Sequence, residues 1–571
     1  MSRRTLSFLT LLSALSLGGY LLSSHLFYRL GFPLDDAWIH QTYARNLALG
    51  GEWAFIPGQP SAGSTGPLWA ALLAVGHFLH LGPAATAHLL GWASLWALGA
   101  LGVYTFQLLS PQHQRVAPWA GALLVVEWHL VWAAGSGMET LLFALVVTLL
   151  LTLLLVGRIS KFDLHWLGNI NVGRISKFDL RRLGNVNAGR ISKFNPHRLG
   201  NITVGRISKS DPRWLCNINV GRISKFDPRR LGSVTVGRIS KFDLRWLGMG
   251  ALIGLSVWLR PDGITLLAPA IFVILLSRNT WRDKLRMSAG LAIGFGLIFI
   301  PYLYFNWAVA GTWWPNTFYA KQVEYAELRQ LPIISRLLQQ GMLPLVGVGV
   351  VLLPGFIIFV VDALQRRKWP VLAGALWVVG YLALYAWRLP VTYQHGRYVI
   401  PMMPIFFLWG FAGFVAWIQA DKPAMGRRIV GRAWLVTTAL VLLLFWGVGA
   451  RTYSRDVAVI ESEMVSVAHW VAENTPAEAL IAAHDTGALG YFGNRALLDL
   501  AGLISPDVIP FIRDEALLEE YLDSEGADYL VTFPGWYPRL VGRATLRFQT
   551  DGSFSPALGG ENMAVYKWPG Q

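Results

Sequence analysis

The segment LDDAWIHQTYARNLALGG opens on two adjacent carboxylates, Asp35 and Asp36, just after an apolar run. Asp36, His40 and Tyr43 fall at i, i+4 and i+7, on one face of a helix. Asp35 stands where an N-cap is needed, and Gly50 where such a helix stops. A cap accounts for one aspartate. The other is available for chemistry: a carboxylate at a membrane surface suits a general base that takes a proton from an acceptor hydroxyl. On this segment alone that reading and the plainer one, an interfacial helix with a capping Asp, stand level.

Four further segments carry reactive side chains. SGMETLLF puts Glu139 at a helix start, where the dipole favours a carboxylate. WLRPDG sets Arg260 and Asp262 inside an apolar region; its Pro and Gly break the helix, so the freed backbone must face protein or a cavity. PNTFYAK offers Asn316, Tyr319 and Lys321, and TYQHGRYVIP offers Tyr393, His395, Arg397 and Tyr398. Lys and Arg are the side chains that hold a phosphate. Each segment alone reads as an interfacial anchor or an internal ion pair; five on one face point to a site.

The elements that must position these residues are membrane helices. The chain is 54% hydrophobic and 14% charged, with 26 Trp in 571 residues, against roughly 25% charged in a soluble domain. Apolar runs long enough to cross a bilayer stand near 7–29, 67–83, 86–108, 117–133, 140–156, 287–309, 342–363, 370–387, 398–419 and 433–450. Residues 249–277 form two shorter pieces. The expected fold is an α-helical polytopic membrane protein of about 10–12 transmembrane helices. MSRR and the apolar run behind it read as a retained signal anchor, too long for a signal-peptide core. With Cys216 the only cysteine, the composition excludes an intrachain disulfide and a cysteine metal cluster.

The net charge of +16 divides unevenly. Residues 156–248 hold 19 Lys/Arg against 5 Asp, and residues 451–571 hold 8 Lys/Arg against 17 Asp/Glu. The basic loops SRNTWRDKLR, QRRK and DKPAMGRRIVGR are expected in the cytoplasm. Asp35, Asp36, PNTFYAK, TYQHGRY and the acidic C-terminal domain then fall outside. Glu139 joins them only if 117–133 is re-entrant or 86–108 does not fully cross.

Four regions follow: a membrane region with an acidic outer loop (1–155), a repeat block (156–248), a second membrane region (249–450) and a small extracytoplasmic α/β domain (451–571). The block repeats a 16-residue unit, VGRISKFDLRWLGNIN, with its arginine at Arg158, Arg174, Arg190, Arg206, Arg222 and Arg238. It buries little and reads as a poorly ordered cytoplasmic insertion rather than a solenoid. Contact with anionic lipid is a second reading. The Trp residues among its arginines are a weak nucleic-acid signal, and no nucleic-acid partner is expected. In the last region VAVIESEMVSVAHWVAENT has helical periodicity, while ALIAAHD and DYLVTFP read as strands.

The order DDAWIHQTYARNLA, PSAGSTGPLW, SGMET, LRPDG, PNTFYAK, QHGRYVIP resembles the GT-C integral-membrane glycosyltransferases, closest to polyprenyl-phosphate-sugar-dependent mannosyl- and arabinosyltransferase-like proteins. The resemblance covers about 1–155 and 249–450. It implies an inverting transfer from a polyprenyl-phosphate-linked sugar to an extracytoplasmic glycan, lipid or protein acceptor. It makes Asp35 the first choice of base and Asp36 the second, with Glu139 as the further acidic residue. Arg260, Lys321, His395 and Arg397 are implied to hold the lipid phosphate, with His40, Asn316 and Tyr319 completing the substrate site. No metal ligand set and no cofactor beyond the lipid-linked donor are expected. The implied location is the plasma (inner) membrane, multi-pass. The rival class is a transporter or flippase of a lipid-linked sugar, for which broken helices speak but inverted repeats are missing. A sensor reading lacks a cytoplasmic output domain.

Overall fold

A computed structural model describes residues 1–156, 241–419 and 425–569, together with five short strands between 187 and 224. Long apolar helices dominate. The first two are α1 (Arg3–Phe27), whose first turn is capped by Ser2 accepting from the Thr5 amide, and the polar α2 (Asp36–Gly50). Next come α3 (Pro67–Phe78), α4 (Pro83–Leu109), α5 (Ala117–Val126), α6 (Trp128–Gly135) and α7 (Thr140–Leu155). After the repeat block follow α8 (Lys241–Leu259), α9 (Leu267–Leu276), α10 (Trp281–Ala310), α11 (Asn316–Glu324), α12 (Ile333–Met342), α13 (Val348–Gln365), α14 (Trp369–Arg388), α15 (Met403–Ile418) and α16 (Met425–Ile460). Among the described residues seven helices are long and apolar enough to cross a membrane, and α5 with α6 forms an eighth as a bent pair. Four shorter apolar helices accompany them. The protein is a multi-pass membrane protein.

The apolar run at 67–83 is not a span, which corrects the topology read from hydropathy. α3 has 12 residues, about 18 Å against a hydrocarbon core of roughly 30 Å. Both its ends stay near α2. The Trp69 indole donates to Gly137 O at 2.9 Å, His77 Nε2 lies 2.8 Å from Gln41 Oε1, and Gln41 Nε2 donates to Pro83 O at 3.1 Å. α4 therefore begins on the α2 side. Glu139 returns to that side with both α4 and the α5–α6 pair crossing; neither has to be re-entrant. The bend between α5 and α6 is 53°. Its cause is Glu127, which has extended backbone angles and caps α6 by accepting from the Leu130 amide at 3.2 Å.

Close helix crossings use small residues. A Cβ on Gly413 of α15 would lie 1.9 Å from Gly355 O of α13, so only glycine permits that approach.

α16 does not stop at the membrane. Through a π turn (461–465) it passes into α17 (Ser466–Asn474), which enters the C-terminal domain. That domain holds a mixed five-stranded sheet of β1 (Leu480–Ala483), β2 (Ala496–Asp499), β3 (Tyr529–Thr532), β4 (Thr545–Gln549) and β5 (Ala564–Lys567). The order is β4-β5-β3-β1-β2, with β3, β1 and β2 parallel and β5 antiparallel to both β3 and β4. Leu498, Leu500, Leu518, Leu522, Leu530 and Trp568 fill its core. β1 and β3 stand where ALIAAHD and DYLVTFP were read as strands.

Within the repeat unit, the strands at 187–188, 202–204 and 218–220 pair in parallel one repeat apart, Ile202 opposite Ile218. The other residues on which the expectation of a poorly ordered insert falls lie outside the described residues.

Candidate active site

Asp35 and Asp36 face different partners. Asp35 holds the N-cap position of α2, yet its side chain makes no cap there, which corrects that expectation. The Gly487 amide donates to Asp35 Oδ2 at 2.7 Å and the Ala488 amide to Oδ1 at 2.8 Å. Asp35 thus caps a helical turn of the C-terminal domain. Burial, followed by the charge of Asp485, pushes its carboxyl up. Asp36 turns the other way, and Arg397 Nη1 lies 2.5 Å from its Oδ2. Burial alone would raise Asp36, but Arg397 and then Lys321 outweigh it, so its carboxyl sits below the ordinary value.

Asp36 lines a cavity of about 420 Å³ together with His40, Glu139, Arg260, Asp262, Lys321, Arg388 and Arg397. Six of the ten residues proposed from sequence meet here, drawn from α2, the α6–α7 turn, the α8–α9 break, α11 and the loop before α15. His40 is held from both sides, with Nδ1 3.1 Å from Ser64 Oγ and Nε2 3.3 Å from Glu139 Oε2. Arg260 Nε lies 3.2 Å from Asp262 Oδ1 and 4.0 Å from Glu139 Oε1. Its Nη2 donates to Tyr385 Oη at 3.0 Å. The Tyr398 ring lies 5.7 Å from the Arg260 guanidinium carbon and 5.0 Å from that of Arg397, a shared aromatic face for two cations. Lys321 Nζ pairs with Glu324 at 3.1 Å. Burial would lower Lys321, but Glu324 more than reverses this and keeps the ammonium charged.

The remaining four sit elsewhere. Asp35 lies behind α2 against the C-terminal domain. Asn316 ties loops together, its amide nitrogen donating to Leu503 O at 3.1 Å. Tyr319 packs edge-on against Phe318 at 5.4 Å. His395 points away from the cavity toward Asp456, with Nε2 2.8 Å from Oδ2.

Sequence reasoning missed Arg388, which lines the cavity with its guanidinium carbon 4.2 Å from the Phe318 ring centre. A single Arg at the end of an apolar helix carries no pattern that separates it from an interfacial anchor. It also missed Tyr381 and Tyr385, whose hydroxyls donate to Asp262 Oδ2. Their spacing on α14, one turn apart, is the signal that was available. Among the described residues no group of three or more His, Cys, Asp or Glu is placed to hold a metal ion.

A family model described as a domain of unknown function, DUF8728, matches residues 454–566. No curated protein sequence matches the chain. Solved structures do. ArnT from Cupriavidus metallidurans, bound to undecaprenyl phosphate, superposes with a TM-score of 0.54 at 14% identity, covering 98% of each chain. The Archaeoglobus fulgidus oligosaccharyltransferase in its apo form gives 0.55 at 11% identity, covering 93% of this chain and 69% of that one. The same archaeal enzyme, AglB, in complex with an inhibitory peptide and dolichol-phosphate gives 0.54 at 12% identity, over 93% and 69%. Such likeness speaks to architecture: the chain has the fold of the GT-C integral-membrane glycosyltransferases.

Proposed function

We propose that the protein is an inverting glycosyltransferase that moves a sugar from a polyprenyl-phosphate carrier to an extracytoplasmic acceptor. The observation that carries this reading is the single cavity in which Asp36 and Glu139 face Arg260, Lys321, Arg388 and Arg397. A carboxylate beside a group of cations suits a reaction whose leaving group is a phosphate. Two of the similar structures were solved with a polyprenyl or dolichol phosphate. One of them also holds a peptide.

In this reading the acceptor hydroxyl attacks the anomeric carbon on the face opposite the lipid phosphate. The C–O bond to the phosphate breaks as the new glycosidic bond forms, so the anomeric centre inverts. Asp36 takes the hydroxyl proton, and the arginines and Lys321 stabilise the phosphate that leaves. Asp36 is favoured over Asp35 because both Asp35 oxygens are already occupied by backbone amides outside the cavity. Glu139 holds His40 on the same wall. The acceptor is a glycan, lipid or protein, the membrane is the plasma (inner) membrane, and the C-terminal domain lies outside.

The test is a reconstituted assay of the full chain with polyprenyl-phosphate-linked pentoses and hexoses. Transfer with inversion and release of polyprenyl phosphate is expected. Movement of intact donor across the bilayer without release would replace this reading with a flippase.

A further inference from the structure

His395 leaves the cavity wall to its neighbour Arg397, and the backbone between them is unusual. Gln394, His395 and Gly396 have φ of 53°, 57° and 67°, three successive residues in the left-handed region, two of them carrying a Cβ. Such a run persists only where the surroundings hold it. The holding contact is Asp456 on α16. Its Oδ2 lies 2.8 Å from His395 Nε2 and accepts from the Trp132 indole at 2.9 Å. The imidazole sits edge-on between Trp128 and Trp132, at 5.5 and 5.1 Å. The turn is closed by the Arg397 amide donating to Gln394 O at 3.1 Å. Arg397 leaves this turn with its guanidinium 2.5 Å from Asp36.

We propose that His395 and Asp456 are positioning residues: the pair pins the left-handed turn and so aims Arg397 at Asp36 and at the phosphate of the donor. The assignment rests on the transferase reading. It also ties the donor site to the C-terminal domain, because Asp456 stands on the helix that continues into that domain at Ser466–Asn474. Neither residue touches substrate; both act through Arg397.

The experiment is a double-mutant cycle on binding of polyprenyl phosphate to the detergent-purified full chain. Asn tolerates left-handed backbone but does not reach Asp456, so His395→Asn removes the pin with little backbone penalty. His395→Asn is expected to weaken binding about tenfold, and to add nothing in an Arg397→Ala background. Asp456→Asn keeps one acceptor oxygen and is expected to lose less than Asp456→Ala; this pair serves the same cycle if His395→Asn does not fold. Equal losses with and without Arg397, or no loss in either background, would overturn the assignment while leaving the transferase intact. A wild-type chain that neither binds polyprenyl phosphate nor transfers sugar would overturn both.

Discussion

Asp36 and Arg397 come from opposite ends of the membrane region and meet at 2.5 Å on the cavity wall. The pairing has a kinetic consequence. A base held below the ordinary carboxylate value stays ionised as the medium becomes mildly acidic. If Asp36 is the base, kcat/KM should show no acid-side fall from carboxylate titration between about pH 5 and 8. Asp35 is pushed upward, so as the base it would lose activity as pH falls through its raised value, inside that window. A pH profile of the purified enzyme separates the two, and an acid limb in the window counts against Asp36. The residue types themselves were legible. Acidic and basic side chains between apolar helices have few structural excuses, and six of them converge. Which of the two neighbouring aspartates enters the cavity was not legible. That choice is set by the Gly487 and Ala488 amides of a domain far along the chain, which no local pattern records.

The elements explain how the two aspartates are parted. Asp35 plugs the start of the turn at Gly487, and a Cβ there would lie 2.1 Å from Asp35 O. Gly487→Ala should therefore push the domain off α2, at a cost of about 2 kcal/mol by the usual range for overpacking. Thermal unfolding of the purified protein and protease release of the C-terminal domain measure this; an unchanged midpoint and an intact domain would contradict the contact. Helices and strands followed the sequence closely where periodicity was long, as in α10 and in the strands at 480–483 and 529–532. The error fell on α3. Mean hydropathy cannot separate a 12-residue helix lying along α2 from a crossing, because both bury apolar faces. The short indole and histidine contacts that keep both ends on one side are tertiary. Helix–helix glycines such as Gly355 and Gly413 were equally silent in sequence, since an isolated glycine in an apolar run carries no partner with it.

At the scale of the molecule, charge and connectivity do the arranging. The last 121 residues carry a net of −9, and the long helix α16 leads into them directly from a basic loop. By the positive-inside rule we propose that the C-terminal domain lies outside. A reporter fused after Gln571 that works only outside the cytoplasm should be active, and a cytoplasmic signal would reverse the sidedness of the whole site. The repeat block is the other large feature, holding +14 of the net +16. Removing residues 157–240, which keeps α8 whole, should preserve membrane insertion and transfer, with the formal charge falling to about +3. Loss of transfer in a deletion that still accumulates in the membrane would give the block a working role.

Asp36, on the cavity wall beside Arg397, is the proposed base of transfer from a lipid-linked sugar. The most direct measurement is turnover of the reconstituted full chain carrying Asp36→Asn, set beside Asp35→Asn, with binding of polyprenyl phosphate followed in parallel. Asp36→Asn should lower turnover by roughly 10²–10⁴-fold while the lipid phosphate still binds, as expected when a general base is removed. Asp35→Asn, which leaves an acceptor oxygen for one of the two domain amides, should retain most of its turnover. Near-normal turnover in Asp36→Asn, with or without loss in Asp35→Asn, would contradict the account.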